Sequence, residues 1–229
     1  MSGERVNSKI IILGIIAIII IIAALWYVRS KPKEFTSKFI HKTPDSLQIF
    51  IGGDMMLDRS VRLLINKNGA ESYFSGIKDI IKNVDLSVVN LEGPFTNYQS
   101  ITIKPGNKEL KFTFDPTLVP ILADIGFDVL GLANNHTMNF GSDGFEMTKR
   151  FIGSAGMSYY GDPNNKTEIS TVITKNGIKV GFVGFHEFTY YNFDKVFAEV
   201  ARLRPEVDVL IVSPHWGIEY QTEPTEKMK

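Results

Sequence analysis

Apolar residues recur along this chain in two different ways. From Ile10 to Val28 they run without interruption, IIILGIIAIIIIIAALWYV, with no charged residue. As an α-helix that stretch covers about 28 Å, which matches a hydrocarbon core of about 30 Å. Isoleucine surrounds every face, so the pattern predicts a transmembrane helix and not a buried soluble one. Trp26 and Tyr27 fall where an interfacial aromatic belt would lie. A cleaved signal peptide would have a shorter apolar core and an A-x-A-like site, which Ala23-Ala24-Leu25 matches poorly.

Beyond residue 45 the apolar positions come in short runs separated by polar turns. Leu47 to Gly53 (LQIFIGG), Asp85 to Asn90 and Asp128 to Ala133 are compact runs that predict buried strands. Arg59 to Asn66 and Tyr73 to Asn83 have helical spacing. Pro116 to Gly126 predicts a helix with Asp115 as N-cap, Pro116 at its first position and Gly126 closing it. Gly144 to Ala155 predicts another, capped by Ser142 or Asp143. Ile169 to Thr174 and Ile178 to Phe185 flank Asn176-Gly177, a type I′ hairpin signal. Asp194 to Leu203 has helical spacing, and Val207 to Ser213 predicts a last strand. Strands alternating with helices, plus a hairpin, predict an α/β domain with a mostly parallel or mixed sheet. The organisation expected is a tail (1–9), a transmembrane anchor (10–28), a charged Pro-containing linker (29–45) and one domain (46–229).

Composition narrows the chemistry. Lysines and arginines number 25 and so do aspartates and glutamates, so there is no whole-protein field to attract nucleic acid. No basic stripe with interleaved aromatics appears either, and no nucleic-acid partner is expected. Cysteine is absent, which excludes disulfides, thiolate metal sites and cysteine nucleophiles. Arg5 and Lys9 precede the apolar run, whereas Arg29, Lys31, Lys33, Lys38 and Lys42 follow it. A bare positive-inside count would place the domain in the cytoplasm.

Each main strand runs into a polar cluster: Gly52-Gly53-Asp54, Asn90-Leu91-Glu92, Asn134-Asn135-His136 and His215-Trp216-Gly217-Ile218-Glu219. Ligands of open α/β sheets bind beyond the carboxyl ends of the strands. Carboxylate, amide oxygen and imidazole suit a hard or borderline divalent ion, Mn, Fe, Zn or Mg, as one ion or a pair. Glu92 is the best-placed carboxylate to bridge two ions, and His136 is a candidate to protonate a leaving group. Arg59 suits orienting an anionic substrate, or equally a surface role. Each residue also has a plainer reading: Asp54 as a helix cap, Asn90 and Glu92 as a turn, His215 as a buried structural histidine. His186 also ends a strand but lacks an acidic or amide context of this kind. The Phe112 to Phe114 stretch reads as core.

The segments Gly53-Asp54-Met55-Met56-Leu57-Asp58-Arg59, Val89-Asn90-Leu91-Glu92-Gly93-Pro94, Ala133-Asn134-Asn135-His136 and His215-Trp216-Gly217-Ile218-Glu219-Tyr220 occur in this order. Together they resemble the CapA family of poly-γ-glutamate capsule biosynthesis, related to calcineurin-like metallophosphoesterases, over about residues 46–229. The resemblance implies a metallophosphoesterase-like sandwich of two mixed sheets flanked by helices, with a dinuclear metal centre. By that resemblance Asp54 is a ligand, Glu92 a bridging ligand, Asn135 a ligand to the second metal and His215 a further ligand. His136 is the acid or phosphate-orienting residue. The family is commonly anchored with its domain outside the membrane, which outweighs the charge count. Two departures stand out. Met56 occupies the place of a histidine in the related phosphoesterases, and a thioether suits a hard ion poorly. The chain also ends at Lys229 without the paired-histidine motif that normally follows, so an incomplete metal shell is expected.

Two functions fit this sequence. One is a metal-dependent hydrolase-type site acting on an anionic polymer or a phosphoester outside the cell. The other is a non-catalytic component that binds or exports polymer, alongside other capsule synthesis proteins.

Overall fold

The computed structural model describes residues 21–22, 46–104, 106–188, 193–226 and 228. The chain divides into two units, Met1–Phe39 and Ile40–Lys229. In the first only Ile21 and Ile22 are described, both helical and exposed. The expected tail, the rest of the expected anchor and the whole of the expected linker (29–45) lie outside the described residues. No helix among the described residues is long and apolar enough to cross a membrane.

The second unit contains two sheets. The first holds β1 (Ile49–Met55), β2 (Leu86–Leu91), β3 (Val129–Gly131) and β4 (Ser158–Tyr160), in that order and all parallel. The second holds β5 (Ser170–Lys175), β6 (Ile178–His186) and β7 (Val209–His215), with β5 antiparallel and β7 parallel to β6. Among the described residues they are joined by helices α1 (Arg59–Asn68), α2 (Ala70–Asn83), α3 (Leu118–Ile125), α4 (Gly141–Ser154) and α5 (Phe193–Leu203), and by a 3-10 turn at Arg204–Glu206. The two-sheet α/β architecture agrees with expectation. The expectation of two mixed sheets is corrected in one respect: among the described strands only the smaller sheet is mixed, because only the β5–β6 hairpin reverses direction.

Strand alternation explains the layers. In β2, Leu86 and Val88 meet Val129, Tyr160, Val180 and Phe182 in a core between the sheets. The alternate residues Val89 and Leu91 join Phe74, Leu122 and Ile152 in a core under α2, α3 and α4. On the far side of β6, Val183 and Phe185 pack on Val196 and Leu203 of α5. Two facing sheets are therefore covered by helices on their outer faces, as a period of two along each buried strand requires.

Boundaries moved where local chemistry competes. Asp115 does not cap the helix at Pro116; it accepts from the backbone N and Oγ1 of Thr117, which stands at the N-cap of α3. Neither Ser142 nor Asp143 caps α4, which starts earlier, at Gly141. Strand β4, with three residues, is too short to leave a periodic signal. The hairpin turn is as expected: Asn176 has φ 54° and Gly177 φ 81°. Gly177→Ala should therefore cost about 1–2 kcal/mol, the strain of a Cβ in the left-handed region. Urea unfolding would check it, and an unchanged midpoint would refute the turn assignment.

Candidate functional site

The site is set by a bulge. Along β1 and β2, Ile51 pairs with Val88 but Asp54 pairs with Asn90, so β1 spends one extra residue at Gly52-Gly53. Without it, Asp54 would lie opposite Leu91, which is buried under the helices. The bulge turns Asp54 onto the inter-sheet face with Asn90. Gly52 is needed there, because a Cβ would sit 2.6 Å from Val89 Cγ1.

Asn90 Nδ2 donates to Asp54 Oδ1 at 2.7 Å and to His215 Nδ1 at 3.3 Å. Because His215 Nδ1 accepts, its proton rests on Nε2, which donates to Asn135 Oδ1 at 3.0 Å. His215 Nδ1 lies 3.7 Å from Asp54 Oδ1. Burial holds the His215 pKa below the usual histidine range against the pull of Asp54, so the ring is neutral near pH 7. Asp54, Asn135 and His215, from three separate strand ends, thus meet in one network.

Glu92 stands beside it. Burial, then the charge and hydrogen bonding of Asp54, then Glu219, push the Glu92 pKa up to about 7. This corner holds more negative charge than it can comfortably keep ionised.

Asn134 is the scaffold of the next loop. Fully buried, it donates to Asn90 Oδ1 and to the Leu91 carbonyl, at 3.0 and 2.8 Å. Its own Oδ1 accepts from the backbone N–H groups of His136 and Thr137. That turn leaves Asn135 free to reach His215. His136 packs against Phe112, with ring centroids 4.3 Å apart, and bonds Asn139 Oδ1 at 3.2 Å. Burial lowers its pKa, partly offset by Asn139 and the Leu110 backbone, so it too is neutral near pH 7. Arg59 opens α1 with an exposed side chain and φ 56°, and its charge reaches Tyr220.

His186 is fully buried and pairs in register with His215. Its Nε2 bonds the Pro163 carbonyl and its Nδ1 accepts from Phe188 N. Met56 packs against the core beneath the helices, so its thioether is committed to packing. Phe112 and Phe114 are buried, as their sequence pattern implied.

Residues 48–229 match the family described as "Bacterial capsule synthesis protein PGA_cap". The chain belongs to this family. It is 25% identical over 239 residues to the capsule biosynthesis protein CapA of Bacillus anthracis, covering 96% of this chain and 57% of that protein. It is 26% identical over 246 residues to the PGA biosynthesis protein CapA of Bacillus subtilis (strain 168), covering 99% of this chain and 62% of that protein. The chain therefore spans less than two thirds of the length of either CapA relative. Among solved structures it resembles a phosphatase from Mycoplasma pneumoniae, with a TM-score of 0.45 and 18% identity, covering 76% of this chain and 57% of that one. It also resembles a hypothetical protein from Thermus thermophilus, with a TM-score of 0.46 and 16% identity, covering 75% of this chain and 59% of that one.

Whether the PGA_cap site suits an ion rests on its donors. Two carboxylates, an amide oxygen and an imidazole form a donor set for a hard or borderline divalent cation. A cation is also what the crowded Asp54, Glu92 and Glu219 lack. Among the described residues no three His, Asp or Glu side chains already form a ligand cluster. An ion held here would compete with the hydrogen bonds that join Asn90, Asn135 and His215. Asn90 and Asn134 stand in the strand-end motifs, but the sequence alone points to no metal or catalytic role for either. Their position at or just beyond the carboxyl ends of buried strands was the available signal.

Proposed function

We propose that this PGA_cap chain carries a metal-dependent, hydrolase-type site that acts on an anionic polymer or phosphoester, on a domain held outside the membrane by residues 10–28. The observation that carries this reading is the Asp54–Asn90–His215–Asn135 network with Glu92 holding its proton to about pH 7 beside it. One or two divalent ions, Mn, Fe, Zn or Mg, would be held by Asp54, Glu92, Asn135 and His215. Such an ion supplies Lewis acidity and a water ionised near neutral pH. The chain's own residues do the rest. Asn90 orients Asp54 and His215, Asn134 shapes the turn that presents Asn135, and the half-buried His136 is a hydrogen-bonding group for the reacting oxygen. Arg59 contributes positive charge toward an anionic substrate.

A second reading is a polymer-binding or export component without turnover, working with other capsule synthesis proteins. It is favoured by the saturation of His215, both of whose ring nitrogens are engaged by asparagines.

Metal titration separates these. Chelator-stripped full chain in nonionic detergent should bind Mn2+ or Zn2+ with a rise in melting temperature. Asp54→Asn and His215→Ala should each weaken binding at least about tenfold, at or above what loss of an outer-shell partner costs. Metal-dependent release of product from a phosphoester or γ-glutamyl polymer supports the hydrolase. Binding without turnover supports the second reading. Equally negligible metal in wild type and both variants would sink the metal site altogether.

A further inference from the structure

The chain between β2 and α3 passes the site as a long loop, and it is pinned on both sides of it. Ser100 Oγ donates to Asp58 Oδ1 at 2.6 Å, and Arg59 N donates to Thr102 Oγ1 at 3.3 Å. At its other end the Leu110 backbone and the Phe112 ring hold His136, and Phe112 N donates to Asn139 Oδ1 at 2.6 Å. Between these pins the described residues bond to one another. Asn107 Nδ2 donates to the Ile101 carbonyl at 3.0 Å, and Glu109 N donates to Asn107 Oδ1 at 2.7 Å.

The loop presents charge. Lys104, Lys108 and Lys111 are exposed, with Glu109 the lone carboxylate among them. Lys104, Gly106, Asn107, Lys108 and Glu109 line one shallow depression. Lys111 lies 4.6 Å from the centroid of the Phe140 ring. Lys149 and Arg202 are held by Glu168 and Glu199, whereas none of Lys104, Lys108 and Arg59 forms an ion pair with a described residue. Cations without an ion pair to a described residue therefore lie on a loop whose ends are tied to Arg59 and His136.

We propose that this loop, with Arg59, is a tracking surface for a linear polycarboxylate. Lys104 and Lys108 engage carboxylates several repeats away from the one that lies at the Asp54–His215 network. The inference rests on the anionic-polymer reading above and adds where the polymer runs. A single exposed ammonium–carboxylate contact contributes little and is screened by salt. Several linked contacts reinforce one another, because each later one forms within the same complex. The device therefore recognises length: a short oligomer reaches the site without the loop, whereas a long one engages both.

The test measures binding of γ-linked glutamate oligomers of about 3 and about 20 residues to the full chain in nonionic detergent, by fluorescence anisotropy. Wild type should bind the long oligomer more tightly, with a steep loss as salt rises. Lys104→Glu with Lys108→Glu should weaken the long oligomer about tenfold or more and leave the short one unchanged. If that pair lowers the melting temperature, Lys104→Gln with Lys108→Gln is used instead, with about a threefold loss expected. Unaltered binding of the long oligomer overturns the proposal, as does tighter binding of polyphosphate than of polyglutamate at equal length. Metal-linked stabilisation, measured separately with Asp54→Asn, tells failure of the tracking surface from failure of the metal site.

Discussion

Replacing Asp58 with alanine is expected to remove about 3–5 kcal/mol of stability, the range for breaking a buried charge pair by deleting one partner. The Asp58 side chain is fully buried. Its Oδ1 accepts from Arg59 N at 2.9 Å, from Ser100 Oγ at 2.6 Å and from Arg62 Nε at 3.1 Å. Its Oδ2 accepts from the buried Thr113 N–H at 3.0 Å. Alanine leaves that N–H unsatisfied and strands the Arg62 guanidinium, only 14% exposed. Arg62 would keep its bond to the Thr113 carbonyl, so part of the link between α1 and the loop end survives. Asp58→Asn retains the shape and loses the charge, so it should cost less than alanine. Urea denaturation of the three proteins would decide the matter. A loss under about 1 kcal/mol for alanine would mean that water or a rearranged Arg62 replaces the carboxylate.

Glu92→Gln should do opposite things with and without metal. The Glu92 carboxyl titrates at about 7 in the folded chain against 4.5 for an unperturbed glutamate. The unfolded chain therefore releases this proton first as pH rises. Between about pH 4.5 and pH 7 the folded state loses relative stability, and above pH 7 the penalty is fully present. Below that window both states hold the proton and the group contributes nothing. Glutamine never ionises, so metal-free Glu92→Gln should melt higher than wild type at pH 8 and match it near pH 4. With a divalent ion bound the order should reverse. At a hundredfold excess over its dissociation constant an ion stabilises its binder by about 2.7 kcal/mol. Wild type should gain on that scale, and the variant, lacking a carboxylate there, should gain far less. Melting curves at two pH values, with and without metal, give all four comparisons. A variant that is less stable than wild type at pH 8 without metal, and still responds fully to metal, would remove Glu92 from the site.

Much of the scaffold was legible from apolar spacing. The runs at β1, β2, β6 and β7 are strands as expected, although only β2 and β6 are buried along most of their length, Ile51 of β1 being 63% exposed, and Asn176-Gly177 leaves little choice of turn. Helix starts were less legible. Asp115 and Asp143 look like caps one residue at a time, yet Asp115 holds the turn before α3 and Asp143 accepts from the Tyr98 hydroxyl at 2.8 Å. A short polar side chain has several nearby donors to choose from, and sequence does not say which it takes.

Residue types and strand-end positions alone determined that carboxylates, amides and histidines would gather at one edge of an α/β domain, and that the chain resembles the capsule synthesis family. Only the tertiary structure decided which of them meet. An extra residue at Gly52-Gly53 selects the face on which Asp54 emerges, and with it whether Asp54 meets Asn90 or the core residue Leu91. His186 and His215 each close a strand and differ in sequence only by the polar context around them. Burial and the Pro163 carbonyl commit His186 to structure, whereas His215 reaches Asn135 across the two sheets. Strand periodicity specifies a face only while the register holds, and register belongs to the pair of strands, not to either one.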